Sequence, residues 1–110
     1  MKQTLTPIKT EVLVVGSGAA GMAAALSSAL NSADTVLVEY NGYLGGISAS
    51  LPWLGFHDRD YRQMVKGICH EFVTRLQSIG AASAYTLDPK CSSLVSIDTH
   101  SWKSLAFKLA

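Results

Sequence analysis

The sequence predicts an α/β fold that opens with a parallel β-α-β unit, and three observations carry that prediction. Residues 12–15 read VLVV, a run without alternation, as expected for a parallel strand buried on both faces. The run breaks into Gly16-Ser17-Gly18-Ala19-Ala20-Gly21, three glycines at the spacing of a dinucleotide-cradling turn. An Ala/Leu-rich, helix-prone stretch over Met22–Leu30 comes next, closed by Asn31-Ser32, and Thr35–Val38 makes a second strand that ends in Glu39.

Each residue of this unit has a physical task. Gly16 permits the tight turn out of the strand, Gly18 lets the backbone come close to a pyrophosphate, and Gly21 lets the helix lie against the sheet. The first-turn amides, from Ala19 and Ala20 onward, point at the ligand, and the helix dipole favours negative charge there. Glu39 stands 18 residues after Gly21, where a carboxylate can accept hydrogen bonds from ribose hydroxyls. A bare GxGxxG arises by chance. The strand before it, the helix after it and the acid-ended second strand are the context that gives it meaning. The whole Rossmann-like unit fits within residues 11–40.

Residues 12–30 carry no charge and imitate a transmembrane helix. With Lys2 and Lys9 ahead of them, and small residues around Ser28–Ala33, they also imitate a secretory leader. The glycine spacing, the small residues from Ser17 to Ala20, and Glu11 at the entrance fit neither, so the chain reads as cytoplasmic with no membrane partner. A net charge of +1 with scattered Lys and Arg argues against a nucleic-acid partner, which would require basic clustering. Cys69 and Cys91 lie far apart and outside any CxxC motif, so they read as reduced, buried or incidental thiols. His57, His70 and His100 lack ligand spacing, and no metal is expected.

After Glu39 the chain runs Tyr40-Asn41-Gly42, a turn signal, and then Gly45-Gly46, an unencumbered backbone that a ligand can approach. Residues 41–58 therefore read either as a flexible loop or as a cofactor loop. Its apolar stretch Leu51–Asp58 cannot be a central strand with Pro52 inside it. Asp60 is the expected N-cap of a packing helix over 61–79. Met64, Val65, Ile68, Phe72, Val73, Leu76 and Ile79 recur there at three- and four-residue spacing, and Gly80 ends it. Gly67 within that helix costs about 1 kcal/mol relative to Ala. Asp98 caps a last helix over 98–110 with Trp102, Leu105, Ala106 and Leu109 on one face. A doubly wound fold needs further parallel strands, and only Leu94–Ile97 offers one. Residues 1–110 thus read as the N-terminal part of an incomplete, larger FAD/NAD(P)-binding fold. No acid, base or nucleophile is assigned, since His57 with Asp58, the nearest pair, reads as structural.

The chain resembles the FAD-dependent oxidoreductases of the glutathione-reductase-like flavoprotein fold. Within them it is most similar to the branch of fumarate-reductase-like proteins and heterodisulfide-reductase flavin subunits. VLVVGSGAAGMAAAL, VLVE, YLGGISAS, KGICHEFVTRL and LDPK match in order, over nearly the whole chain. The resemblance implies FAD, its pyrophosphate held by Gly16, Ser17, Gly18, Ala20 and Gly21 and its adenosine ribose by Glu39. It implies that Gly45-Gly46 run along the cofactor, and Tyr40 and Ser48 join the candidate set, Ser48 near where relatives often carry Thr. Members are several hundred residues long, so the rest of the flavoprotein fold is an expected partner. Iron–sulfur cysteines of some relatives have no counterpart here.

The expected function is the FAD-binding segment of an oxidoreductase that transfers electrons or hydride. Its partners would be a small-molecule substrate or an electron donor or acceptor. The 110 residues by themselves are expected to be inactive. An NAD-binding dehydrogenase segment is the alternative, because Glu39 suits either ribose, and a non-catalytic nucleotide-binding or truncated product is a third reading. The double glycine and the N-terminal position of the β-α-β unit favour FAD.

Overall fold

In a computed structural model, residues 5–90 and 92–110 are described. Strand β1 (Val12–Val15) pairs in parallel with β2 (Thr35–Val38), in register from Val12 opposite Thr35 to Val15 opposite Val38. Helix α1 (Ala19–Leu30) crosses between them and begins three residues earlier than the sequence predicts. Asn31 and Ser32 close it by donating to the carbonyls of Ser27, Ser28 and Ala29, with Ser32 at φ 65°. The uncharged run is thus split into strand, turn and helix. Among the described residues no helix is long and apolar enough to cross a membrane.

Burial of the first strand on both faces is not what the structure has. Val12 and Val14 are half-buried, and Val14 lies under α1, near Gly21. Leu13 (59% exposed), Val15 (77%) and Val38 (49%) face the other way, where no described layer covers them. The apolar sequence suits two covered faces, and the described elements supply one.

The second half of the chain departs further from expectation. Residues 61–67 are not helical, and helix α2 spans only Ile68–Ser78. Tyr61 (φ 59°) and Gly67 (φ 66°) adopt left-handed conformations that break a helix. The amides of Met64 and Val65 donate instead to the Phe56 carbonyl, and His57 bridges to Gln63. Met64, placed on the apolar face by its spacing, is 65% exposed. Gly67 is the N-cap, so it carries no helix-interior cost. The C-terminal end matches the prediction: Gly80 (φ 73°) donates to Gln77 and Ala81 to Leu76, the paired bonds of a Schellman close.

The segment read as a loop contains strand β3 (Trp53–Leu54), which starts just after Pro52. It is an edge strand of an antiparallel sheet ordered β3-β5-β4, with β4 at Thr86–Asp88 and β5 at Ser92–Ser96. The Leu94–Ile97 run therefore does not extend the parallel sheet. Its residues pair antiparallel with β3 and β4, and Ile97 donates to the Pro52 carbonyl at 2.9 Å. Helix α3 (Thr99–Leu109) starts where predicted, with the Asp98 carboxylate accepting from the Ser101 amide at 2.9 Å. Cys69 is a half-buried free thiol, and Cys91 lies outside the described residues.

Leu76 and Val73 of α2, Val95 of β5 and Ala106 of α3 are fully buried and form the centre of the core, which Met22, Leu44 and Ala49 of the first half join. Phe72 packs on Trp102 with ring centroids 4.2 Å apart. Leu76→Ala is expected to destabilise the fold by about 2–5 kcal/mol, the range for truncating a fully buried Leu. Urea unfolding of the two proteins measures it, and a midpoint unchanged at constant slope would contradict this packing.

Candidate cofactor site

The site forms where β1 and β2 end side by side. Gly16, at φ 95°, turns the chain out of β1, and its amide donates to Val38 O at 2.7 Å. A Cβ on Gly16 or on Gly18 would meet nothing within 4 Å, so both backbones border open space. Gly18 caps α1 without a side chain, and Gly18, Ala19 and Ala20 are exposed. The first-turn amides therefore have no side-chain acceptor in front of them, which leaves a positive helix terminus facing that space. Gly21 differs, since a Cβ there would come within 1.9 Å of Gly16 O. It is the residue that lets α1 rest on the turn.

Glu39 is fixed by four donors. Its Oε2 accepts from the Ser17 amide at 2.7 Å and the Ser17 hydroxyl at 2.5 Å, and its Oε1 accepts from the Asn41 amide at 2.7 Å and Asn41 Nδ2 at 2.9 Å. These bonds hold its pKa at about 2, the Asn41 amide contributing most and the Ser17 hydroxyl next. The carboxylate is ionised at every physiological pH.

The double glycine joins the same place. Gly45, at φ 105°, donates to Ser17 O at 2.8 Å, and a Cβ on it would come within 2.5 Å of Trp102 Nε1. Gly46, at φ 53°, would bring a Cβ within 3.1 Å of Gly18 Cα. The loop is thus pressed between the glycine turn and the Trp102 indole, whose buried Nε1–H has no described acceptor.

Gly16 to Gly21, Glu39, Gly45 and Gly46 come together as the sequence predicts. Ser48 sits on a 3-10 turn over Gly46–Ala49 and lines an apolar cavity of about 240 Å³ with Ala19, Gly45, Phe56, Cys69 and Trp102. Tyr40, also a candidate, is fully exposed. His57 does not engage Asp58: its Nδ1 meets Ser93 Oγ at 2.5 Å, while Asp58 pairs with Arg62 at 3.1 Å. Among the described residues no group of three His, Cys, Asp or Glu could hold a metal ion.

Two contributors escaped the sequence. Asn41 was legible only as a turn residue, although an Asn two places after an acid can bond it. Trp102 read as a core residue of α3, and nothing local signals that it sits beneath Gly45.

The sequence matches the FAD dependent oxidoreductase family over residues 11–110. The chain belongs to that family. The family's cofactor is FAD, and the open glycine turn, the uncapped helix terminus and the ionised Glu39 fit a dinucleotide. Among curated proteins the chain is 49% identical over 57 residues to 4-oxocyclohex-2-ene-1-carboxylate 5-dehydrogenase of Sinomonas cyclohexanicum, which covers 49% of this chain. It is 36% identical over 75 residues to cinnamate reductase of Clostridium sporogenes, covering 66% of this chain. The matched stretches span only 10% and 11% of those relatives. No solved structure matches significantly.

Gly21→Ala is expected to unfold or strongly destabilise the protein, because the backbone of Gly16 must move. Gly18→Ala, with φ −58° and free space, should keep the melting temperature within a few degrees. Equal melting temperatures for the two would refute the packing assigned to Gly21.

A second expectation concerns pH. Because the Glu39 pKa falls from 4.5 to about 2 on folding, its contribution to stability is complete above 4.5 and is lost as the pH drops towards 2. Asp58 and Asp98 are also held low, by bonds from Arg62 and Ser101 respectively, and act in the acid range too. Comparison with Glu39→Gln isolates one carboxylate. The substituted protein should be the less stable one at neutral pH, with the gap closing on acidification. Urea midpoints across that range test this, and a gap independent of pH would contradict the ionised cluster.

Proposed function

We propose that this chain is the FAD-binding part of a flavin-dependent oxidoreductase acting on a small molecule. The observation that carries the reading is the open, uncapped turn from Gly16 to Gly21 with the fixed carboxylate of Glu39 beside it. In this reading Gly16, Ser17, Gly18, Ala20, Gly21 and the amides of the first helical turn, Ala19 included, hold the pyrophosphate. Glu39 accepts from the adenosine ribose, with exposed Tyr40 beside it. Gly45, Gly46 and Ser48 flank the remainder of the cofactor. Bound flavin supplies two-electron and one-electron transfer, while the chain supplies position and charge.

The family and the names of the two relatives, a dehydrogenase and a reductase, support oxidation or reduction rather than passive nucleotide binding. We assign the chain to the fumarate-reductase-like branch on its YLGGISAS and KGICHEFVTRL segments. Both relatives are named for carboxylates that carry a carbon–carbon double bond, so an unsaturated organic acid is the substrate class to try first. The protein's place is the cytoplasm, and its partners are that substrate, an electron donor or acceptor, and the remainder of a flavoprotein domain. Relatives about ten times longer than the matched stretches, and the bare face of β1 and β2, support that last partner.

A longer protein that joins this chain to the rest of the flavoprotein fold should purify with a flavin absorbance spectrum, while the 110 residues alone should bind FAD poorly. Gly18→Val in the longer protein should lose that spectrum while keeping its melting temperature, since the branched side chain enters the space open to the pyrophosphate. Stoichiometric flavin on the folded substituted protein would overturn the assignment of the turn.

A further inference from the structure

The hydrogen bonds around Glu39 raise a difficulty for any ribose that is to bind there. A carboxylate offers about four lone-pair positions, and four donors already fill them: the Ser17 amide and hydroxyl on Oε2, and the Asn41 amide and Nδ2 on Oε1. A ribose hydroxyl can donate to Glu39 at full strength only if one of the four withdraws.

Three of them are poorly placed to do so. The Ser17 and Asn41 amides are fixed by the backbone. Ser17 is fully buried, and its hydroxyl also lies 3.4 Å from the Gly45 amide, so rotating it away strands a polar group in the interior. The Asn41 side chain is exposed, turns freely about its own bonds, and makes the longest of the four contacts at 2.9 Å. Water satisfies its amide as soon as it leaves. It is also the weakest of the four donors in lowering the Glu39 pKa.

We infer that the Asn41 side chain occupies the ribose position on Glu39 Oε1, and that cofactor binding exchanges its Nδ2–H···Oε1 bond for a ribose O–H···Oε1 bond. Asn41 is then a gating residue that sets how tightly the adenosine half is held, and Ser17 is the permanent anchor of the opposite oxygen. The inference rests on the reading of Glu39 as the ribose acceptor.

The test compares the unsubstituted protein, Asn41→Ala and Glu39→Ala, with ADP and 2′,3′-dideoxy-ADP as probes. Asn41→Ala keeps the backbone amide and removes only the competing donor. It should bind ADP about two- to tenfold more tightly, the span of one net hydrogen bond, with no gain for the dideoxy compound. Glu39→Ala should bind ADP more weakly and no longer distinguish the two probes. In the unsubstituted protein, ADP but not dideoxy-ADP should shift the Asn41 side-chain amide resonances. If Glu39→Ala leaves ADP binding unchanged, the ribose reading fails and the exchange falls with it. If Glu39→Ala weakens binding but Asn41→Ala does not tighten it, or the Asn41 amide resonances stay put, the ribose reading stands and the exchange is overturned.

Discussion

Ser17 is the node on which the site depends. Its amide and hydroxyl hold the Glu39 carboxylate at the end of β2, and its carbonyl takes the Gly45 amide from the following loop. One buried residue therefore ties together the exit of β1, the exit of β2 and the double-glycine loop. A polar residue this deeply buried is tolerated because its groups are satisfied, and the geometry it enforces is correspondingly rigid.

That rigidity sets the electrostatics. The positive end of α1 and the ionised Glu39 lie side by side at the ends of the parallel strands, one suited to a phosphate and the other to hydroxyl donors. The glycines divide the remaining work by what surrounds them. Gly21 allows helix and turn to touch, Gly45 and Gly46 allow the loop to pass between the turn and Trp102, and Gly16 and Gly18 leave room.

Support for the loop comes from the far end of the sequence. Trp102 on α3 meets Gly45 on one side and Phe72 of α2 on the other, so the second half of the chain braces the candidate site built by the first. The antiparallel sheet, α2 and α3 share the buried cluster of Val73, Leu76, Val95 and Ala106. A change in that core can therefore reach the candidate site through Trp102 without touching any residue of the glycine turn.

The β-α-β unit and most of the candidate site were legible in the sequence because they are local. Strand, glycine turn and helix follow one another within a few residues, and their φ requirements, spacing and terminal acid are written directly in the residue types. Asp98 as a cap and Gly80 as a helix end were legible for the same reason. The false helical start at 61–67 shows the limit: apolar spacing suited a helix, but left-handed Tyr61 and Gly67 and the pull of Phe56 O on two amides won. Tertiary structure alone decided that Leu94–Ile97 joins β3 in an antiparallel sheet, that Trp102 lies under Gly45, and that Ser17 fills one oxygen of Glu39. β3 and β5 are separated by about forty residues, Trp102 and Gly45 by more than fifty, and Ser17 lies 22 residues from Glu39. No local propensity encodes such pairings; the packing of the whole chain does.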